Sequence, residues 1–470
     1  MTIISRSVTI TLVKIRTKII DNGFAVGVNN RWIKNIYPKI VWSSFPISLR
    51  QILSDNAAYF FSIHFSFENK GKIDYQFPPP NLLSFFTHGL WYSLPEAVLE
   101  IPEAKFTSEK LLRDAYNSGL RTSFKGHPYL ARSVIPPKII KNSFLLPFSF
   151  GKDSLLTYAV AKEIGLKPHP VFFIEPTSSF ENANKAKLRL KFQKEFNETI
   201  TQFPLNLGAL RQKGGTLWGW DMLLTQYTLL MIPYLYFWKP QYFFWSNEQS
   251  TNDVEKDKQG YIINTTYEQG VFWTVHLNNL LRTFSSNTII SSIIEPLHEM
   301  AILYILHHRY PKVGNYQLSC FNDDPKSKKQ KWCGNCYECA RVYIFLLGVG
   351  VNPKQVGFVD DMLTLKKKNL YYMFEHKELT RPLNILFQSW GERLLAFYLA
   401  YKRGIKGDLI TLFAKELLPI VLKKKKELLT QYCGLHSTET IAKELQPKLL
   451  HIYRDEMSRF RREIKRVDRG

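Results

Sequence analysis

Ser149-Phe150-Gly151-Lys152-Asp153-Ser154 decides how this chain is read. An apolar run precedes it: Phe144, Leu145 and Leu146, then Pro147 and Phe148. After it, Leu155, Leu156, Tyr158, Ala159, Ala161 and Ile164 recur at helical spacing. The pattern predicts a strand entering a tight turn and leaving it as a helix. The first helical turn carries N–H groups without intrahelical acceptors, and the helix dipole adds partial positive charge there. Such a junction suits a phosphate or pyrophosphate. Gly151 is expected to permit close backbone approach or a positive φ. Lys152 offers a cation to phosphate oxygens, and Asp153 can hold Mg²⁺ or cap an N–H. Ser149 and Ser154 add hydroxyl donors. The chemistry implied is the use of a nucleotide. The plainer alternative is a βα turn with a Ser or Asp cap. It is not a Walker A loop, because the wide glycine spacing and the Gly-Lys-Ser/Thr ending are absent.

Outward from the loop, Val171-Phe172-Phe173-Ile174 reads as a short buried strand ending at Glu175-Pro176. A charged helix follows over about 180–196. Leu205 to Leu210 reads as another strand, followed by Lys213-Gly214-Gly215-Thr216. An apolar helix from Met222 is expected to end near Pro233, and Tyr242-Phe243-Phe244-Trp245 to form a strand. This alternation predicts an α/β fold over 141–360, a parallel sheet with covering helices. Ligands bind outside the carboxyl ends of such strands. That places the Ser149–Ser154 loop, Glu175 and Asn247-Glu248-Gln249-Ser250 at one crevice. Glu248 is the first candidate for acid/base work. Asn247, Gln249 and Ser250 are candidates for gripping a substrate, and a solvated polar loop is the alternative. His298-Glu299 resembles the start of a zinc-protease helix, but Ile302 stands where the second histidine belongs, so that reading is rejected. His307 and His308 are expected on a helix surface.

Two flanking regions complete the chain. Residues 1–140 read as a strand-rich aromatic module, with Ala57 to Phe67 as a half-buried strand and His127 and Tyr129 as candidate substrate contacts. Pro136 and Pro137 suggest its boundary. Residues 361–470 read as helical and basic. Net charge is +23, from 63 Lys and Arg against 40 Asp and Glu, which favours anionic partners without bearing on the fold. Runs such as Lys423–Lys426 also occur as solvated helix faces. The longest uncharged stretch, Met222 to Trp238, is 17 residues and falls short of a span of about 20. The N-terminal residues lack the apolar core of a signal peptide, so the cytoplasm is the expected location.

Four of five cysteines cluster as C-x12-C-x2-C-x2-C: Cys320, Cys333, Cys336 and Cys339. Two intervening residues let a pair of sulfurs reach one metal. Four thiolates suit tetrahedral Zn²⁺, with an iron–sulfur cluster as the softer alternative. Four protein ligands leave no open position, so the metal is expected to be structural. It would fix a loop of lysines (Lys326, Lys328, Lys329 and Lys331) near the site. Cys433 reads as a buried or free thiol.

The Ser149–Ser154 loop resembles that of the PP-loop ATP pyrophosphatases, whose fold is HUP-like and which split ATP into AMP and pyrophosphate. Phe150 departs from the glycine usual at that position. A PP-loop followed downstream by a cysteine cluster also resembles the enzymes that make 7-cyano-7-deazaguanine. Phe148–Ser154, Glu175-Pro176, Asn247–Ser250 and Trp332-Cys-Gly-Asn-Cys-Tyr-Glu-Cys-Ala-Arg341 together are most similar to the MurL-type epimerases of cell-wall synthesis. That resemblance implies ATP- and Mg²⁺-dependent inversion of the terminal L-glutamate of UDP-N-acetylmuramoyl-L-alanyl-L-glutamate. Lys152, Asp153 and Glu248 would then be catalytic. Ser149, Gly151, Ser154 and Glu175 would join Lys152 and Asp153 in holding ATP. The competing readings are a deazaguanine- or tRNA-modifying enzyme, whose partner would be a nucleobase or RNA, and a nucleotide-sensing, nucleic-acid-binding module.

Overall fold

The computed structural model describes residues 12–68, 72–100, 105–127, 134–176, 179–211, 222–320, 330–374 and 390–469. The N-terminal part holds five strands, β1 (Leu12–Ile20), β2 (Gly23–Val28), β3 (Arg31–Ile36), β4 (Lys72–Tyr75) and β5 (Thr122–Phe124). Their sheet order is β3-β2-β1-β4-β5, antiparallel across β1–β2 and β2–β3 and parallel across β1–β4 and β4–β5. The expected strand over 57–67 is absent. Ala57–Phe60 instead ends the helix Ile47–Phe60, and Phe65–Glu68 forms a further helical turn. The reason is burial on every side. Leu53 through Phe60 are all buried, so the aromatic run carries no two-residue alternation between core and solvent.

The central sheet comprises β6 (Ile140–Pro147), β7 (Lys167–Ile174), β8 (Thr201–Pro204), β9 (Pro240–Phe244) and, after a two-residue ribbon of β10 (Glu255–Lys256) and β11 (Ile262–Ile263), β12 (Ile289–Ser291). Its order is β12-β9-β6-β7-β8, and every pairing is parallel. This is the expected α/β class. The chain moves outward from β6 through β7 to β8, then returns to the other side of β6 with β9 and β12. The switch point of this doubly wound order therefore lies between β6 and β9.

Strand alternation feeds two separate cores. Phe144 and Leu146 of β6, and Tyr242 and Phe244 of β9, face one core; Leu145 and Phe243 face the other. Burial on both faces explains why these strands read as continuous apolar runs. Helices Lys152–Glu163, Glu299–Arg309, Tyr337–Gly348, Trp390–Lys402 and Gln446–Arg469 contribute to the first core. Helices Leu223–Trp238 and Val271–Thr283, together with the N-terminal module, contribute to the second.

Three local expectations are corrected. Leu205–Leu210 is not a strand: Thr201–Pro204 pairs with β7, and Asn206–Leu210 is a 3₁₀ turn. The apolar helix does not stop at Pro233 but continues to Trp238. Leu229 through Leu235 are fully or almost fully buried, and that packing outweighs the ~3 kcal/mol cost of an internal proline. His307 is buried and bonded to Gln317 at 2.8 Å, whereas His308 is exposed as expected. Among the described residues no helix is long and apolar enough to cross a membrane.

Candidate functional site

At the carboxyl end of β6 the chain makes the expected turn, and the helix begins at Lys152. Its first internal bond runs from Leu155 N to Gly151 O at 3.1 Å. The Ser149 hydroxyl accepts from Gly151 N at 3.2 Å, and the Ser154 hydroxyl donates to Gly151 O at 3.2 Å. The positive φ falls on Phe150, at 63°, and not on Gly151, which is extended at −69°. The Phe150 ring sinks into the core against Phe148, 4.8 Å between centroids, and Phe192, 5.8 Å. A methyl on Gly151 would lie 3.2 Å from Ser149 Oγ, so the absence of a side chain there serves close approach rather than φ.

Beside this turn, at the switch point, β9 delivers Asn247, Glu248 and Ser250. A cleft of about 470 Å³ opens over the two strand ends, a size that suits a small organic ligand. Of the residues expected there, Ser149, Gly151, Lys152, Asp153, Ser154, Glu175, Asn247, Glu248 and Ser250 line it. Gln249 does not; its backbone N–H bonds Leu297 O at 2.9 Å, which anchors the loop. Asn247 is buried, with its amide donating to Thr274 at 3.2 Å. Glu175 is held by Arg211 at 2.7 Å and by the Tyr227 hydroxyl, so it braces the cleft wall. His127 is exposed and does not line the cleft. Tyr129, Lys213–Thr216, Lys326, Lys328 and Lys329 lie outside the described residues.

Lys152 does not project into the open cleft as a free cation. It is 4 % exposed, and its Nζ lies 2.7 Å from Asp153 Oδ1, 3.4 Å from Glu248 and 3.9 Å from Glu299. Burial works against its ammonium, but Asp153, Glu248 and Glu299 outweigh burial and hold its pKa above the ordinary lysine value. Burial pushes the Glu248 carboxyl up to about 8; Lys152 pulls it down, and Asp153 and Glu299 push it up again. Glu248 Oε2 is buried without a hydrogen-bond partner. Asp253, one turn further on, also lines the cleft, and burial raises its carboxyl to about 6.

Sequence reasoning missed the floor beneath these groups. Glu299, at the start of its helix, bonds Arg341 at 2.5 Å, and Arg341 also donates to Glu338 at 3.1 Å. Glu392, from the C-terminal region, accepts from Met300 N at 2.7 Å. Burial raises both Glu299 and Glu392, opposed at Glu299 by Arg341 and Lys152. The one readable signal was the i,i+3 spacing of Glu338 and Arg341 on the helix after the cysteines.

Cys320, Cys333, Cys336 and Cys339 converge, with all four sulfurs within 4.8 Å of one another. Cys320 and Cys336 are 3.9 Å apart, and Cys333 and Cys339 are 3.6 Å apart. Four sulfurs at roughly 2.3 Å from one tetrahedral zinc would be about 3.8 Å apart, so the set can hold a metal ion of that kind. Cys336 also caps the helix Tyr337–Gly348, its sulfur accepting from Cys339 N at 3.4 Å. The knuckle therefore seats the helix that brings Glu338 and Arg341 to the cleft. Lys331, the one described member of the expected lysine loop, turns to Asn315 O at 2.6 Å and does not line the cleft. Cys433 is buried, and burial raises its thiol to about 12.

No protein-family model matches this chain, and no curated protein matches it significantly in sequence.

Proposed function

We propose that the protein activates a carboxylate with ATP and inverts the neighbouring carbon, in the manner of the PP-loop pyrophosphatases and most closely the MurL-type epimerases. The observation that carries this reading is the meeting of the Ser149–Ser154 turn and Glu248 at adjacent strand ends over one cleft. The helix start and its two serines suit the phosphates of ATP. Asp153, an oxygen donor at the cleft, would hold Mg²⁺. The four thiolates fit a structural Zn²⁺ that keeps Arg341 in place.

The α-hydrogen beside a free carboxylate is a very weak acid, because deprotonation would pile charge on charge. ATP, when bound, supplies the adenylyl group that neutralises that carboxylate and lets the acyl oxygen take up enolate charge. Glu248 is suited to take the α-proton, because a carboxylate whose pKa is raised towards 8 is a stronger base than a solvated one. Lys152 fixes its position and tempers that rise. The substrate class favoured is the UDP-linked muramoyl dipeptide, a multiply charged anion that agrees with the net charge of +23. The test is incubation with ATP, Mg²⁺ and that dipeptide, followed by chiral analysis of the glutamate and analysis of the nucleotide products. D-glutamate with AMP and pyrophosphate is expected. ADP and inorganic phosphate as the only products, or no inversion, would overturn the reading.

A further inference from the structure

Inversion of a carbon centre needs a proton removed from one face and another delivered to the opposite face. Six carboxylates among the described residues line the cleft. Four are committed to cations. Asp153 lies 2.7 Å from Lys152, Glu175 lies 2.7 Å from Arg211, Glu181 pairs with Lys185, and Glu338 accepts from Arg341 at 3.1 Å. Glu248 is only partly committed, with one oxygen 3.4 Å from Lys152 and the other without a partner. Asp253 has neither an ion pair nor a side-chain hydrogen bond among the described residues. Glu299 and Glu392 are buried and form no part of the lining.

Glu248 and Asp253 bracket a single 3₁₀ turn, Gln249–Asn252. That turn is pinned to the structure that follows it. The Thr251 hydroxyl donates to Gln269 O at 3.1 Å, and Asn252 Oδ1 accepts from Val271 N at 2.8 Å. Asn264 donates to Thr251 O at 3.0 Å. The two carboxyls are therefore held at fixed positions along one wall of the cleft. We infer that Asp253 is the second proton-transfer group, acting on the face of the substrate carbon opposite Glu248. This rests on the carboxylate-activation reading above. Burial that favours the protonated form of each group agrees with the role, since one must enter the cycle charged and the other neutral.

With the substrate held as its acyl adenylate, the Glu248 carboxylate takes the α-proton. The C–H electron pair moves through the acyl group onto its oxygen. The neutral Asp253 carboxyl gives its proton to the α-carbon from the other side, and the electron pair returns from oxygen into the new C–H bond. Nothing is oxidised or reduced. The two carboxyls have exchanged protonation states, and proton exchange with water resets them.

The experiment follows the L-substrate with ATP and Mg²⁺ in D₂O, using wild type, Asp253→Asn and Glu248→Gln, with AMP release, α-deuterium and chirality measured together. For wild type, early D-product carries α-deuterium while unreacted L-substrate stays protonated. Asp253→Asn should still release AMP and wash deuterium into the L-isomer, while D-isomer formation falls about 10²–10⁴-fold. Glu248→Gln should release AMP without any wash-in. D-isomer formation at the wild-type rate in Asp253→Asn would overturn the inference and leave the activation reading standing. Loss of AMP release in that variant would also overturn it, marking Asp253 as a binding group. Wild type that forms neither AMP nor D-glutamate would overturn the activation reading itself, and this inference with it.

Discussion

Phe150 offers a test of the loop that needs no substrate. Its backbone sits at φ 63°, where a side chain costs about 1–2 kcal/mol, yet its ring is fully buried. Phe150→Ala removes the ring and keeps the strained backbone, so it should destabilise by about 3–5 kcal/mol. Phe150→Gly loses one more buried methyl, about 0.8 kcal/mol. It also adds chain freedom in the unfolded state, worth about 0.5–1 kcal/mol. Relief of the left-handed strain offsets both losses. The two variants should therefore fall within about 0.5 kcal/mol of each other. At a buried position with an ordinary backbone, glycine would be the worse of the two by more than about 1 kcal/mol. Denaturant titrations followed by far-ultraviolet circular dichroism would compare the variants. A glycine variant clearly weaker than the alanine variant would refute the argument, as would two variants with wild-type stability.

The remaining predictions concern the site. The rate of α-hydrogen exchange should rise about tenfold per pH unit and level off above about pH 8, because Glu248 must lose its proton to act as base; a profile flat from pH 6 to 9 would remove it from that role. The same raised carboxyl favours the folded state while it is protonated, at a pH below its unfolded value. That contribution is lost as pH rises through about 8, so alkaline melting scans should show Glu248→Gln gaining on wild type. Asp153→Ala should abolish ATP cleavage with little change in melting, since its carboxylate lines the cleft and stands outside both cores. Metal analysis should find about one zinc per chain, and Cys336→Ser should lose the metal and melt earlier.

What could be read from the sequence was whatever local spacing encodes. The Phe144–Leu146 run followed by Ser149–Ser154 marks a strand, a turn and a helix within about 20 residues, and the C-x2-C pairs mark a shared ligand. Glu248 was legible because it directly follows an aromatic strand. Asp253 was not, because what distinguishes it is the lack of a partner, a property of the folded cleft. Glu299 was noticed only for an incomplete histidine motif, and its pairing with Arg341 spans 42 residues of chain. Glu392 is further removed, on a helix that composition marks only as apolar and basic. The error at Ala57–Phe67 has the opposite origin. When every side chain in a segment is buried, periodicity no longer distinguishes helix from strand.

The seat of Glu392 bears on how this chain can be divided. Its helix, Trp390–Lys402, shares one continuous core with β6, β9 and the helix that follows the phosphate-binding turn. The bond from Met300 N to Glu392 ties it to the start of the helix that carries Glu299. A truncation after residue 360 would strip the apolar backing from the sheet and leave that amide without its acceptor. The basic C-terminal helices are thus no detachable tail. Fusion partners or shortened variants that interrupt them should cost the molecule its cleft before they cost it its affinity for anions.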